Sequence, residues 1–257
     1  MPSMPTYPDL AGKTAFVTGG SGGLGAEAAR WLAHNGVRVT IAGRDAGRLE
    51  AVRQSLEAIS EGHAAVRLDC TDLGALQAAE ADLMRRCGRL DILVAFAGGG
   101  VSRPAPLEAV SEQDWRASLD HNLTATFLTL KAFIPSLKHG GGGAVITMAS
   151  TAGRAPSPAP PGYGVAKAGI ILLTRQAAEE LGPAGVRVNC VSPSAVLVER
   201  TAALMPPAVQ AQVALAHPLR RLGTPADVAA ATLFLASDNA GWITGATLDV
   251  AGGRLMH

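Results

Sequence analysis

The sequence predicts an α/β domain built on a doubly wound, mostly parallel seven-stranded sheet with helices on both faces. Short β-branched or apolar runs alternate with longer amphipathic stretches. That is the pattern of parallel strands joined by right-handed helical crossovers. Several runs are apolar on both faces, as strands covered on each side must be. The composition, 48% apolar and 17% charged over 257 residues, supplies a sizeable buried core and argues against disorder.

The strand runs are Thr14–Thr18, Val37–Ala42, Ala64–Leu68, Asp91–Ala95, Ala144–Met148, Val186–Val191 and Ala246–Val250. Between them Gly23–Asn35, Asp45–Ser60, Asp72–Cys87, Ser111–Lys138, Tyr163–Leu181 and Pro225–Ala236 read as amphipathic helices. Gly36 is placed to stop the first helix. Asp45 can N-cap the second, and Thr224-Pro225-Ala226-Asp227 gives the last one a cap, a proline at its first position and an acid in its first turn. Ala152–Gly162, with four prolines, reads as a loop. No internal repeat or linker is visible, so residues 1–257 read as one domain. Residues 1–12 are expected to be a frayed arm, and 194–222 a helical and loop insertion covering the substrate.

Several function classes are excluded at this level. A formal net charge of +1 leaves no electrostatic footprint for nucleic acid or an anionic membrane. No apolar run is long enough to span a bilayer, and the start MPSMPTYPDLAGK lacks a basic region followed by an apolar stretch. Cys70, Cys87 and Cys190 are scattered, outside any CxxC spacing, which suits a reducing, cytoplasmic setting. The histidines form no HxH or HExxH arrangement, so no metal site is expected.

The first strand ends in Thr18-Gly19-Gly20-Ser21-Gly22-Gly23-Leu24-Gly25 and a helix follows at once. Glycines let the backbone turn sharply and approach a pyrophosphate, and the helix N-terminus offers N–H groups and a positive dipole end. Both a GxGxxG register (Gly20, Gly22, Gly25) and a TGxxxGxG register (Thr18, Gly19, Gly23, Gly25) are met. Gly12-Lys13-Thr14 is not a Walker A end, because Tyr7 stands where its first glycine must be. At the end of the second strand an acid would take the ribose 2′-hydroxyl of NAD and an arginine the 2′-phosphate of NADP. Gly43 stands at the acid's place and Arg44 follows, with guanidinium geometry suited to phosphate. NADP (NADPH) is therefore expected, with NAD through Asp45 as the rival.

Tyr163 and Lys167 lie four apart, on one face of a helix. A lysine charge beside a phenol favours tyrosinate and lowers a pKa that starts near 10, which fits the phenol for proton transfer to a carbonyl oxygen or from an alcohol. Ser150 ends the fifth strand, where ligands collect in such sheets, and its hydroxyl can polarise the same carbonyl. Asn122 is a poor helix former inside the long fourth helical stretch, which predicts a kink or a water-holding amide.

On these residues, together with Asp69, Ala97-Gly98, Asn122-Leu123, Pro193, Arg221-Leu222-Gly223-Thr224-Pro225 and Ile243-Thr244-Gly245, the chain resembles the short-chain dehydrogenase/reductase family over essentially its whole length. Among its members it is similar to the 3-oxoacyl-carrier-protein reductase-like ketoreductases. The resemblance implies a Rossmann-type fold and an NADP-dependent oxidoreductase moving a hydride between nicotinamide and a ketone or secondary alcohol. It implies Tyr163 as general acid or base, Ser150 orienting the substrate oxygen, Lys167 on the nicotinamide ribose, and Asn122 holding a water of a proton relay. Thr18, Gly19, Ser21, Gly22, Gly23, Leu24, Gly25, Arg44, Asp69 (adenine), Cys70 (backbone N–H), Ala97, Gly98, Tyr163, Lys167, Pro193 and Val196 would hold the cofactor. A homo-oligomer, tetramer or dimer, is expected, with Ala-rich Ala125–Leu137 and Ala166–Ala178 as a four-helix seam or, alternatively, helices covering one sheet.

Three departures stand out: the family's Asn-Asn-Ala-Gly is Ala95-Phe96-Ala97-Gly98, its Pro-Gly is Pro193-Ser194 with Val198 at a frequent threonine, and its Asp-Gly-Gly is Ala251-Gly252-Gly253. They motivate alternatives: an NAD-dependent alcohol dehydrogenase, a non-redox cofactor-binding protein, or a cofactor-using isomerase or dehydratase. The Ala-, Leu-, Val- and Pro-rich composition of Ser194–Leu222, with Met205, suits an apolar or acyl-chain substrate.

Overall fold

The computed structural model describes residues 4–100 and 104–256. Seven strands, β1 (Thr14–Thr18), β2 (Arg38–Gly43), β3 (Ala64–Arg67), β4 (Ile92–Ala95), β5 (Gly143–Met148), β6 (Val186–Pro193) and β7 (Thr247–Val250), form one sheet in the order β3-β2-β1-β4-β5-β6-β7. Every neighbouring pair is parallel, so the expected "mostly parallel" sheet is wholly so. The order reverses between β1 and β4, and a crevice opens beyond their carboxyl ends as the topology requires.

The helices follow the alternation. They are α1 (Gly23–His34), α2 (Ala46–Glu57), α3 (Leu73–Cys87), α4 (Glu112–Leu119), α5 (Ala125–His139), α6 (Pro161–Leu181), α7 (Glu199–Leu204), α8 (Pro207–Leu215) and α9 (Pro225–Ala236). One core layer joins α1, α2 and α9 to the sheet through Trp31, Leu32, Val52 and Leu233. The opposite layer joins α3, α5 and α6 through Leu83, Phe133 and Leu181. Phe16 and Phe133 pack at 4.2 Å between ring centroids within the second layer. The predicted caps form: Asp45 accepts from the Arg48 N–H, and Thr224 and Asp227 make a reciprocal capping box on α9. Gly36, with φ +77°, ends the α1 connection.

The differences from expectation have local causes. Val37 belongs to the turn after α1, because its N–H bonds Leu32 O, so β2 starts one residue later and takes in Gly43. β6 extends to Pro193 because β7 pairs with it to that point. The single helix expected over Ser111–Lys138 is interrupted by a π-helical turn at Asp120–Thr124, centred on Asn122. An inserted residue of that kind bulges the helix and recurs at functional sites. The arm is not frayed over residues 4–12: Asn35 accepts from the Tyr7 N–H at 2.7 Å and donates to Pro5 O, and Leu10 is fully buried in a 3-10 turn. The expected arm residues 1–3 lie outside the described residues. The 194–222 insertion comprises α7, α8 and a parallel bridge between Val196 and Gly223. Among the described residues no helix is long and apolar enough to cross a membrane, and no cluster could hold a metal ion.

β3 begins two residues too late to bond the whole of β2, and His63 completes the edge at Val39. Its Nδ1 accepts the Val39 N–H at 3.1 Å and its Nε2 bonds Ser60 Oγ at 3.0 Å. Burial pushes the imidazole pKa below 6.5, against the pull of Glu57. The unfolded chain therefore binds this proton at a higher pH than the folded one. The stability contributed by neutral His63 is complete above about pH 6.5 and is lost as pH falls through the lower folded value. In urea titrations His63→Ala should cost about 1–2 kcal/mol at pH 7.5 and distinctly less at pH 5. A cost that stays constant across that range would refute the buried neutral imidazole.

Candidate active site

The crevice is a cleft of about 750 Å³ lined by the turn after β1, the ends of β2–β6, and residues of α1, α2, α6 and α7. At one end Gly19 and Gly23 adopt φ +69° and +53°, which side-chain-bearing residues rarely take. A Cβ on Gly25 would lie 2.3 Å from Gly19 O, so the first turn of α1 crosses the preceding turn at backbone contact. The α1 N-terminus carries no side-chain cap and no acid in its first turn. Its N–H groups face the cleft as donors for an anion.

At the adjoining end of β2, a Cβ on Gly43 would stand 3.0 Å from Ser21 Oγ. Ser21 thus occupies the space through which a side chain at position 43 would leave. Arg44 projects beyond it, largely exposed, with Nη1 3.9 Å from Asp69 Oδ2. Two hydrogen bonds from Thr71 hold the Asp69 carboxyl below the usual carboxylate range, the backbone one contributing most. Arg30 and Arg48 also line this end.

At the far end Ser150 follows β5 and its Oγ accepts the Ala152 N–H at 3.2 Å. The 3-10 turn Thr151–Gly153 lies directly on α6: a Cβ on Gly153 would be 2.5 Å from Lys167 C, and one on Gly164 would be 2.9 Å from Ala152 O. These glycines bring the Ser150 turn against the helix turn that carries Tyr163 and Lys167. Lys167 is buried, its Nζ 5.5 Å from the Tyr163 ring centroid and 2.9 Å from Met148 O, to which it donates. Burial lowers its pKa from 10.5 to about 8.

Ser21, Gly22, Arg44, Asp69, Cys70, Ala97, Gly98, Ser150, Tyr163, Lys167, Pro193 and Val196 share the cleft wall, with Gly19, Gly23, Leu24 and Gly25. Thr18 and Asn122 do not. Both are buried behind it and hold its floor. Thr18 Oγ1 accepts the Ala97 N–H at 3.1 Å. Asn122 Oδ1 accepts the Gly99 N–H at 2.9 Å, while Nδ2 donates to Gly99 O and Ser118 O. The amide is fully committed to this clamp. Sequence reasoning missed Phe96, Gly99, His121, Glu199 and Thr201 in the wall. The glycine run 98–100 was the available signal for Gly99, Phe96 lies in the segment that departs from the family pattern, Glu199 and Thr201 lie in the 194–222 segment, and no signal distinguished His121.

A doubly wound parallel sheet with an uncapped glycine turn at its switch point, and a Ser, Tyr and buried Lys at the other end of one cleft, defines a nucleotide-cofactor oxidoreductase architecture. The family model described as Enoyl-(Acyl carrier protein) reductase matches residues 19–254. The chain is 38% identical to D-threitol dehydrogenase of Mycolicibacterium smegmatis, over 95% of this chain and 93% of that one. It is 35% identical to 3-oxoacyl-[acyl-carrier-protein] reductase FabG of Staphylococcus aureus, over 95% and 98%. The solved structure of carveol dehydrogenase from Mycobacterium avium in complex with NAD superposes with a TM-score of 0.92 at 30% identity, covering 97% of this chain and all of that one. The chain belongs to the short-chain dehydrogenase/reductase family, oxidoreductases that use NAD(P).

The two glycines of the turn make separable predictions. Gly25→Ala forces a methyl onto the Gly19 carbonyl and should destabilise the fold by about 2–3 kcal/mol in urea. Gly22 is extended and open around its Cα, so Gly22→Ala should stay within about 0.5 kcal/mol of wild type. Equal effects at the two positions would contradict the close crossing.

Proposed function

We propose that the protein is an NADPH-dependent ketoreductase, moving a hydride between nicotinamide and a ketone or secondary alcohol with Tyr163 as general acid or base. The observation that carries this reading is the buried ammonium of Lys167 one turn below Tyr163, in the same cleft as Ser150. The glycine turn and the uncapped α1 N-terminus fit a pyrophosphate, and Arg44 beside a side-chain-free position 43 fits a 2′-phosphate. Asp45, which an NAD-using enzyme would need at the ribose, caps α2 instead. The bound nicotinamide supplies or accepts the hydride.

The protein's own residues handle position and charge. In this reading Ser150 donates to the substrate oxygen, Tyr163 gives that oxygen its proton, and the Lys167 charge favours the tyrosinate left behind. Lys167 would also bind the nicotinamide ribose, Asp69 the adenine with the Cys70 N–H, and Pro193 and Val196 the carboxamide end. With its amide engaged by Gly99, Asn122 would serve a proton relay through the remaining lone pair of its main-chain carbonyl, which also accepts the Thr126 hydroxyl at 2.8 Å. Residues 1–257 work as one unit, with 194–222 over a small carbonyl or alcohol substrate. The three free thiols suit a cytoplasmic setting. Phe127, Val165 and Leu172, exposed on α5 and α6, suit a seam between subunits of a tetramer. A binding protein freed from redox work would have no use for a buried lysine under a tyrosine.

A panel of ketones with NADPH tests the reading directly. Tyr163→Phe should lower kcat by at least about a thousandfold while NADPH still binds. Wild-type kcat in that variant would refute the mechanism. Arg44→Ala should raise KM for NADPH at least about tenfold and leave that for NADH within about twofold. A kcat/KM favouring NADH in the wild type would overturn the cofactor assignment.

A further inference from the structure

The 194–222 segment is a closed excursion. It leaves the sheet at the end of β6 and returns through His217 to Gly223, which forms a parallel bridge with Val196. Between those ends α8 buries no side chain completely, and Val209 and Leu215 are exposed. Val198, Glu199, Thr201 and Met205 of the same segment line the cleft. A stretch with so little packing of its own takes its position from its neck.

The neck is unusually well made. His217 is 3% exposed. Its Nδ1 lies 2.8 Å from Val213 O, a carbonyl that can only accept, so Nδ1 donates there. Nε2 shares a hydrogen bond with Ser194 Oγ at 2.9 Å. One imidazole thereby ties the last turn of α8 to the end of β6. The return turn adds the Arg220 N–H to His217 O, with Arg220 at φ +54°, and the Leu219 N–H to Gly252 O. A Cβ on Gly253 would meet Pro218 Cγ at 2.8 Å, so the turn after β7 braces the neck from behind. A second cavity of about 180 Å³, lined by Ser194, Ala195, His217 and Asp249 among others, adjoins the main cleft across Ser194 and Ala195. That space leaves the neck room to move when the bond is broken.

We propose that the Ser194–His217 hydrogen bond is the pin that hangs the 194–222 segment over the cleft, making His217 a positioning residue for substrate closure. Its catalytic consequence rests on the ketoreductase reading, while its structural consequence does not. Losing the pin leaves the cleft's proton-transfer groups untouched and lowers the population of the closed segment, which weakens apparent substrate binding by that fraction.

Hydrogen–deuterium exchange on the full chain reads the pin without turnover. In Ser194→Ala and in His217→Phe, amides of residues 199–216 should exchange on the order of tenfold faster, while those of β1 and α1 keep wild-type protection. The double variant should exchange no faster than the faster single one, and Ser194→Thr, which keeps the hydroxyl, should match wild type. With NADPH and a ketone the wild type reduces, both variants should raise KM for the ketone roughly fivefold to tenfold and change kcat less than about twofold. Wild-type exchange in both variants, multiplicative effects in the double variant, or lost protection spreading to α1 would each overturn the pin. Faster exchange with unchanged KM would overturn its role in closure. Absence of any ketone reduction by wild type would overturn the ketoreductase reading alone, and exchange would still decide the pin.

Discussion

The site depends on one buried charge. Lys167 sits under the Ser150 turn with Met148 O as a backbone acceptor, and desolvation brings its pKa to about 8. That lowering corresponds to roughly 3 kcal/mol against the charged form. A cation kept in so dry a place acts strongly on its neighbours because little water screens it. The Tyr163 ring lies 5.5 Å from it, and the buried Cys190 thiol is also within reach of its field. The burial is itself a packing result. Gly153 and Gly164 let the β5–α6 connection lie flat on α6, and any side chain at Gly153 would push the turn off the helix backbone. The charge is tuned by glycines that do not line the cleft.

The other end of the cleft is organised by backbone approach. Gly25 against Gly19 O brings the α1 N-terminus over the end of β1, and Gly19 against Phe96 O locks that turn to the end of β4. The amides of the family's Asn-Asn-Ala-Gly segment are absent from Ala95 and Phe96, yet the β1–β4 junction is held. Thr18 accepts from the Ala97 N–H, and Asn122 reaches across to satisfy both backbone groups of Gly99. A two-point amide clamp of that kind does for a loop what a paired strand does for a sheet edge. It also gives the π-helical turn a purpose, since the residue at its centre carries the clamping side chain.

Most of the fold was legible because period and punctuation agree: strand runs, caps and glycines pointed to the same seven-stranded sheet, strand boundaries moved only by a residue or two, α2 ended three residues early and the long fourth helix was split. Tyr163, Lys167 and Ser150 were legible because their spacing on helix and strand ends is local. Asn122 was legible as an oddity in a helix but not as a clamp, because its partner Gly99 lies 23 residues away. Ser21 blocking position 43 likewise depends on a contact between two strands' loops that no spacing encodes. The arm was misread because Asn35, which binds it, looked like an ordinary helix end.

Asn122, His63 and His217 share a logic. Each is a buried polar side chain that satisfies backbone or hydroxyl groups where regular pairing runs out: a glycine loop, a late-starting strand and the neck of an insertion. Leaving such groups unpaired in the interior costs about 1–3 kcal/mol each, enough to set local geometry. The sheet therefore delivers the chain to the crevice, and a few polar side chains decide how its irregular segments lie there. The glycine-turn end needs little such help, because close backbone contacts at Gly19 and Gly25 fix it. The opposite end has α8, which buries no side chain completely, so its shape rests on hydrogen bonds at the neck. Variation in what the cleft accepts can then accumulate along 199–216 without disturbing the buried lysine or the glycine turn.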